Sequence, residues 1–405
     1  MSTTSGGGAG DANGARPTTD AASSDAGVIV DAASSDARPT VDAAIDAPGD
    51  LADARVDGGR IPYRALAVAT GEVHTCAVLD DHNVKCWGDN SYGQLGYGDA
   101  VRRGGSPSDM GDNLPTVDLG TGRTATAIAA GRYSTCAILD DGSLRCWGWA
   151  GLLGNGVGLD RNVGDAPGEM GDHLPALDFE GRKAVHLAMG NDSACASMDD
   201  DTIWCWDGNK PWFQFWLPTK EVSALAPTGD GTFALYADGS VSPQLPNGTV
   251  PLFTSASEVL AVAGSAGNAP TCYLLADHTT TCMEGGATRR ESSNALAIGV
   301  ELDGGLCSAL SDGSVQCDAQ RCVSPTNYPC TSDGAFVLGA PAVAVTSNGT
   351  NFACALLVGG QIKCWDGSPI GTSPAWLGSE LDATTLADGG VAYGPWHAVA
   401  LGMHP

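Results

Sequence analysis

Cysteine is the residue type whose spacing in this chain could support chemistry. Of the 14 cysteines, 12 form pairs separated by ten residues. Such pairs could form disulfides, bind a metal or act as redox dithiols. Zinc sites and redox dithiols favour spacings such as CxxC, or histidines at matching intervals, and the sequence has neither. We therefore predict disulfides. The predicted pairs are Cys76–Cys86, Cys136–Cys146, Cys195–Cys205, Cys272–Cys282, Cys307–Cys317 and Cys354–Cys364.

The remaining two cysteines, Cys322 and Cys330, lie in a segment rich in Pro, Ser and Asn, and we predict that they staple this loop. Seven disulfides are typical of an oxidising compartment. The first residues, MSTTSGGGAGDANG, contain neither the basic nor the apolar region of a signal peptide. We expect an extracellular, periplasmic or surface-anchored protein whose export signal lies upstream of this sequence or has been removed.

The cysteine pairs belong to a recurring hairpin pattern. It runs HTCAVLDDHNVKCWGDNSYGQLG from residue 74, and seven copies follow one another at intervals of 35 to 60 residues. The fourth copy carries Phe233 and Pro243 where the others carry cysteine, and the loss of both members together supports a bond. An Asp at the centre of six copies, often followed by Gly, predicts a tight turn with a positive φ.

Repeats of this length are typical of propellers and solenoids. The chain ends with GPWHAVALGMHP, which matches only the front half of the pattern, as a ring closed by both termini would need. We therefore predict an all-β, seven-bladed β-propeller with intrablade disulfides over residues 62–405. Residues 1–61 are rich in Ala, Asp and Ser and contain almost no core-forming side chains, which predicts a disordered linker.

Composition and motifs argue against several function classes. Lys and Arg total 20 against 47 Asp and Glu, a net charge of −27, which is the reverse of what a nucleic-acid binder needs. No apolar run is long enough to span a membrane. No hydrolase, zinc-protease, nucleotide-binding or EF-hand motif occurs. We expect a monomeric protein without enzymatic activity, cofactor or bound metal, whose partner is another protein.

Two features could form a binding surface. The segment IWCWDGNKPWFQFWLP contains four clustered aromatic residues, either a contact surface or a blade edge that packs inward. Segments 106–123 and 166–183 share the pattern Met-Gly-Asp-x-Leu-Pro, and they are either binding loops or structural ties between blades. The four candidate binding residues of the aromatic segment are Trp212, Phe213, Phe215 and Trp216.

The stretch CWGDNSYGQLGYGD at residues 86–99, with the preceding His-x-Cys-Ala-Val strand, resembles the repeat of the regulator of chromosome condensation family. The resemblance covers about residues 62–405; it is strong in the first copy, recognisable in the second and seventh, and eroded in the rest. It implies a seven-bladed propeller. The paired cysteines look like those of secreted bacterial members, a group related to a secreted propeller that inhibits β-lactamases by protein–protein contact. No exchange-factor residue of the family can be assigned to a position in this sequence.

Three functions remain open at the level of sequence. The leading hypothesis is a secreted or cell-surface propeller that acts as a protein–protein interaction scaffold. The alternatives are a guanine-nucleotide exchange factor-like regulator of a small GTPase and a carbohydrate-binding propeller, the latter resting on the aromatic segment alone.

Overall fold

The computed structural model describes residues 64–366 apart from short gaps at 105–108, 110, 155–160, 191–192, 208–209, 216–219, 229–230, 245–256, 265–270, 285–286, 291, 301–305, 318–335, 338–339 and 348–351. The chain divides into two units, Met1–Pro48 and Gly49–Pro405, and all described residues belong to the second. The predicted linker, the Cys322–Cys330 pair and the closing half-repeat all lie outside the described residues.

The described strands form seven antiparallel sheets, and each sheet corresponds to one copy of the repeat. Sheets 1, 2, 4 and 7 have three strands each. Their strands are β1 (Ala65–Thr70), β2 (His74–Leu79) and β3 (Val84–Gly88); β4 (Ala125–Ala130), β5 (Ser134–Leu139) and β6 (Leu144–Gly148); β11 (Val222–Thr228), β12 (Gly231–Tyr236) and β13 (Val241–Gln244); β22 (Ala342–Ser347), β23 (Phe352–Leu357) and β24 (Ile362–Asp366).

Sheets 3, 5 and 6 carry a fourth strand on the edge beyond the third. The propeller prediction is therefore confirmed: seven repeats give seven blades. The strands of these sheets are β7 (Ala184–Met189), β8 (Ser193–Met198), β9 (Ile203–Asp207) and β10 (Lys210–Phe215); β14 (Val259–Ala263), β15 (Thr271–Leu275), β16 (Thr280–Glu284) and β17 (Ala287–Arg290); β18 (Ala295–Val300), β19 (Leu306–Leu310), β20 (Ser314–Cys317) and β21 (Phe336–Val337).

The first strand of every blade lies at the centre of the ring, because each one contacts the first strands of the two neighbouring blades. The second strand of each blade lies between the adjacent blades, so both of its faces are covered. Strands β2 and β5 are buried along their whole length, which explains why HTCAVL and STCAIL read as continuous apolar runs rather than as an alternation. The core of the domain therefore consists of the layers between adjacent blades.

Blades 1 and 7 meet directly and close the ring. The Ala65 amide donates to the Gly360 carbonyl at 3.0 Å, as the Ala125 amide does to the His82 carbonyl between blades 1 and 2. The Thr70 hydroxyl hydrogen-bonds to that of Thr346 across the same junction. Since the closing joint repeats the joint between consecutive blades, the ring is continuous within the described residues.

The turn between the second and third strands is the same in all seven blades. The residue after the central Asp, or after its substitute in blade 7, has a positive φ of 60° to 83°. This confirms the predicted turn and shows that it also tolerates residues other than glycine. The seven residues are His82, Gly142, Asp201, Gly239, His278, Gly313 and Gly360.

Candidate interaction surfaces

The cysteine pairs occupy the cross-strand position for which they were predicted. In each pair the two residues face each other in the register of the second and third strands. Five disulfides have Cα–Cα distances of 4.0 to 4.1 Å, and Cys354, opposite Cys364, is also disulfide-bonded. The cysteines therefore hold the blades together internally. No described cysteine is a free thiol.

Blade 4 replaces its disulfide with an aromatic contact. Phe233 pairs with Pro243 at the register position that two cysteines occupy elsewhere. Phe233 is buried, and its ring meets that of Tyr273 in blade 5 edge-on, with centroids 6.5 Å apart. The blade is stabilised at this position by packing against its neighbour.

The tryptophan that follows the second cysteine joins adjacent blades. Trp147 Nε1 donates to the Gln94 carbonyl of the preceding blade at 3.0 Å, and Trp206 Nε1 donates to the Leu152 carbonyl in the same way. Both rings are fully buried, as is Trp87. These three residues therefore pack between blades, whereas the side chain of Trp365 lies outside the described residues.

The two Met-Gly-Asp insertions are structural ties. The Lys85 ammonium on β3 donates to the Gly111 carbonyl at 2.7 Å, and the Arg145 guanidinium on β6 donates to the Gly171 carbonyl at the same distance. The two insertions also contact each other, since the Gly171 amide donates to the Asp118 carbonyl at 3.0 Å. Of the two interpretations left open by the sequence, these bonds support the tie.

The polar side chains of the loop after β3 form hydrogen bonds and ion pairs with other residues of the same loop. The buried Asn90 donates to the Asp99 carbonyl at 2.7 Å and accepts from the Leu95 amide at 2.9 Å. Asp89 forms an ion pair with Arg102 at 2.7 Å. The side chains that carry the family resemblance therefore fix the loop rather than present polar groups for a ligand.

The His74 side chain is buried between blades 1 and 2. The Thr135 hydroxyl donates to the Gln94 carbonyl at 2.8 Å, so its oxygen must accept from His74 Nε2, which is also 2.8 Å away. The neutral Nε2–H tautomer follows from this network. Burial lowers the pKa of His74 to about 3, in spite of the nearby Asp89 carboxylate. The residue therefore has a structural role, because its pKa is too low for it to carry a proton near neutral pH.

The turns between the second and third strands lie at one end of every blade, and we call the surface they form the turn face. In six blades the central Asp accepts a hydrogen bond from the backbone amide two residues later, at 2.9 to 3.1 Å. These side chains remain exposed to solvent. The predicted structural role of the repeated aspartates is confirmed, and their charge accumulates on one face. The six are Asp81, Asp141, Asp200, Asp238, Asp277 and Asp312.

A β-bulge near the start of every first strand brings a second set of side chains to the same face. In all seven blades the register with the second strand shifts across the second residue of the first strand. That residue is half-buried or exposed, whereas the residue before it is buried. The bulged residues are Leu66, Thr126, Val185, Ser223, Leu260, Leu296 and Val343.

Exposed apolar side chains are concentrated in blades 5 to 7. Leu260 and Leu296 are 37 and 38% exposed, and Val358, in the turn of blade 7, is 37% exposed. Val358 stands next to the first strand of its blade, because its amide donates to the Pro341 carbonyl at 2.9 Å. We call Leu260, Leu296, Val343 and Val358 the apolar arc. Sequence reasoning missed it, although the pattern Ala-x-Ala marks the bulge before four of the seven copies.

The aromatic segment forms the edge strand of blade 3, which agrees in position with the blade edge that the sequence left open as one of two interpretations. Trp212, Phe213 and Phe215 belong to β10, which pairs with β9 as the outermost strand of blade 3. Aromatic residues favour an extended backbone, and the edge of β9 offers it hydrogen-bonding partners. Trp216 lies outside the described residues. The role of the four residues in binding stays a prediction.

The described residues contain neither a metal-binding group nor a membrane-spanning helix. No group of three or more His, Cys, Asp and Glu side chains has the geometry to hold a metal ion. None of the described helices is long and apolar enough to cross a membrane.

The ring of seven disulfide-stapled or aromatic-packed blades makes this protein a β-propeller of the repeat type. Residues 66–94 and 125–151 match the family model of the Regulator of chromosome condensation (RCC1) repeat. These ranges lie in the first two blades, and both blades therefore carry the RCC1 repeat.

Curated relatives are similar over part of the chain. The Ultraviolet-B receptor UVR8 of Arabidopsis thaliana is 36% identical over 104 residues, which cover 25% of this chain and 21% of that protein. The RCC1 domain-containing protein RUG3, mitochondrial, of the same plant is 30% identical over 152 residues, which cover 38% of this chain and 31% of that protein. The chain therefore spans less than a third of the length of these relatives.

Among solved structures, the CRINKLY WD40 ectodomain of the Arabidopsis thaliana receptor kinase ACR4 superposes with a TM-score of 0.50 and 17% identity. The match covers 80% of this chain and 98% of that one. At this identity the likeness concerns the fold alone.

Proposed function

We propose that this protein is a non-enzymatic, secreted or cell-surface propeller that acts as a protein–protein interaction scaffold. The observation that carries the proposal is the apolar arc: large aliphatic side chains stay exposed on one face, although the same strands bury their other positions. Exposed apolar side chains grouped on one face are typical of interaction sites. The repeated polar groups elsewhere are used by turns, ties and blade junctions.

The cysteines support the location outside the cytosol. Six of the seven blades carry a disulfide-bonded cysteine, and such bonds persist in oxidising compartments. Thiol counting under denaturing, non-reducing conditions on protein from its own host tests this part. We expect essentially no reactive thiols. Fourteen reactive thiols would contradict export and favour a reduced, intracellular protein.

The scaffold function is tested by affinity purification from the host with the full chain as bait, followed by mass spectrometry. We expect a stoichiometric protein partner that binds the purified bait directly. Recovery of no partner at all would contradict the proposal. The matched control is a bait whose disulfides have been reduced and alkylated, which removes the fold while it keeps the charge.

The RCC1-repeat match favours a guanine-nucleotide exchange factor-like regulator as the second candidate. It would accelerate release of a fluorescent nucleotide from a small GTPase of the host. A carbohydrate-binding propeller is the third candidate, and it rests on the aromatic strand of blade 3. Binding on a glycan array that is lost in Trp212→Ala and Trp216→Ala would favour it, and an empty array would remove it.

A further inference from the structure

The turn face combines the apolar arc at its centre with an acidic rim, which we define as the turn aspartates of blades 1 to 6. We propose that it binds a protein segment that is both cationic and apolar, with Lys or Arg side chains flanking aliphatic or aromatic ones. This inference rests on the proposed scaffold function and assigns it a surface and a class of partner.

The distribution of exposed hydrophobic side chains supports this surface. In the part of the chain that the structure describes, four large hydrophobic side chains are exposed: Val101, Leu260, Leu296 and Val358. Val101 lies toward the opposite end of blade 1, beside the bridge between Gly88 and Arg103. The other three belong to the turn face. A single exposed aliphatic residue needs no explanation, but three that recur on consecutive blades do.

The exposure follows from the backbone and is therefore rigid. Leu260, Leu296 and Val343 hold the same bulged position in blades 5, 6 and 7, and the first strands of these blades contact one another. A bulge directs its extra residue away from the pattern of the flanking strand. The three residues therefore lie on neighbouring first strands at the turn face, with Leu260 and Leu296 exposed and Val343 half-buried.

The rim supplies the charge that selects the partner. The central turns of blades 1 to 6 contain aspartates and no Lys or Arg, and three cations beside them form ion pairs with these aspartates: Arg123 with Asp140 and Asp141, Arg182 with Asp200, and Lys220 with Asp238. At physiological salt a charge acts over about 8 Å. A cationic segment anchored on the apolar arc therefore remains within the field of the neighbouring turns.

Blade 7 breaks the rim where the arc reaches it. Its turn reads Leu-Val-Gly-Gly, with Val358 and Gly359 in place of the acidic residues of the other blades. The charge beside Val358 is positive instead, because the Arg64 guanidinium donates to the Gly359 carbonyl at 3.0 Å. We therefore expect only apolar side chains of the segment to lie against this turn. An approaching segment would lay its apolar side chains across blades 5 to 7 and its cationic side chains against the turns that flank them.

The same charges disfavour other classes of ligand. Phosphate groups of nucleic acids and anionic lipid surfaces are repelled by carboxylates. A basic segment of a protein offers both the positive charge and enough apolar area, and charge complementarity gives it a faster encounter and a defined partner.

The test uses the full chain and a short fluorescent peptide in which Lys and Leu alternate, with binding followed by anisotropy. One control peptide replaces every Leu with Ser, and another replaces every Lys with Glu. We expect the Lys–Leu peptide to bind best. We expect Leu260→Ser combined with Leu296→Ser to weaken it about tenfold, equivalent to ~1.4 kcal/mol. Val101→Ser, an exposed aliphatic residue toward the other end, is the matched control and should leave binding unchanged.

A second pair of substitutions tests the rim. Asp277→Asn and Asp312→Asn remove charge but keep a side-chain oxygen for the turn, since Asn forms the same local hydrogen bond. We expect the pair to weaken the Lys–Leu peptide and to reduce the salt dependence of its binding. Circular dichroism confirms that each variant is folded.

Two results would overturn the proposal. One is equal binding by the arc variant and by Val101→Ser. The other is equal binding of the Lys–Ser and Lys–Leu peptides, which would reduce the effect to net charge. If a host partner still binds the arc variant, the scaffold function stands and the surface is wrong. If no host partner exists, the scaffold function itself fails.

Discussion

At the scale of single residues, the structure distinguishes side chains that resemble functional groups from those that could bind. The aspartates of the turns and the polar loop after β3 are engaged in local hydrogen bonds. Asp238 is an example: bonds from the Ser240 hydroxyl and the Lys220 ammonium lower its pKa to about 2. It remains charged at any physiological pH. Such residues give the face its charge, while the fold fixes their positions.

His74 should make the stability of the protein depend on pH. Its pKa is about 3 in the fold and 6.5 in the unfolded chain, so the unfolded chain takes up the proton first. The contribution of His74 to the free energy of unfolding is fully present above pH 6.5. It is lost as the pH falls toward 3, with a slope of up to about 1.4 kcal/mol per pH unit. We expect urea titrations between pH 7 and 4.5 to show this slope.

The variant His74→Gln separates this effect from that of the carboxylates. Glutamine can still donate to the Thr135 hydroxyl but does not titrate, so the slope between pH 6.5 and 4.5 should flatten. The same slope in the variant and the wild type would show that His74 is not its source.

At the scale of elements, each blade is a hairpin whose turn also forms the joint to the next blade. At four of the described turns the carbonyl of the residue with positive φ accepts a hydrogen bond from a first-strand amide of the following blade. The four residues are His82, Gly142, His278 and Gly360, which accept from Ala125, Ala184, Ala295 and Ala65. Conformation and interblade contact are therefore combined in one residue. A change at this position acts on two blades.

Gly360→Ala should destabilise the protein more than Gly313→Ala. Both glycines have φ near 82°, where an added Cβ costs about 1–2 kcal/mol. At Gly360 the new Cβ would also lie 2.7 Å from the Arg64 Cβ and 3.1 Å from the Ala65 amide, at the joint that closes the ring. At Gly313 the nearest atom is 3.2 Å away. Chemical denaturation compares the two, and equal losses would argue against a strained closing joint.

A disulfide should form in blade 4 when Phe233→Cys is combined with Pro243→Cys. The two positions are register partners, as Cys272 and Cys282 are in blade 5. The bond would contribute at most ~3 kcal/mol, whereas loss of the buried phenylalanine costs about 3–5 kcal/mol. We therefore expect a bond without a gain in the free energy of unfolding. Mass spectrometry under non-reducing conditions should find two hydrogens fewer than in the reduced protein, with each single variant as a control.

At the scale of the whole molecule, the described blades form a closed ring in which each blade contacts a neighbour on both sides. Thr70 and Thr346 hydrogen-bond across the joint between the first and last blades, and the core between those blades contains Trp87 and Leu356. Closure removes the exposed edges that a linear array of the same repeats would leave. It also brings seven bulges and seven turns to one face, where their side chains can act together.

Removal of residues 1–61 should leave the ring intact. Their composition predicts a disordered linker, and the described blades make all their joints with one another. We expect the thermal midpoint of the shortened chain to stay within about 2 °C of that of the full chain. A larger decrease would mean that the segment packs on the domain. NMR of the full chain should show narrow amide dispersion for these residues.

The sequence alone determined the repeat count, the all-β class, the cross-strand cysteine pairs and the turn. Each of these depends on residues close together in the chain: ten residues separate the paired cysteines, and Asp81 bonds to an amide two residues away. It also determined the empty cysteine position of blade 4, since Phe233 and Pro243 replace both partners at once.

Only the tertiary structure decided which side chains face solvent together. The bulged residues Leu260 and Leu296 are 36 positions apart and become neighbours only because the blades are arranged in a ring. The sequence left open whether the aromatic segment at Trp212 is a contact surface or a blade edge, and only the tertiary structure pairs it with β9. Likewise, the Met-Gly-Asp insertions proved to be ties because Lys85 and Arg145 reach them from other strands. A hairpin is specified locally, but a face is made by distant parts of the chain.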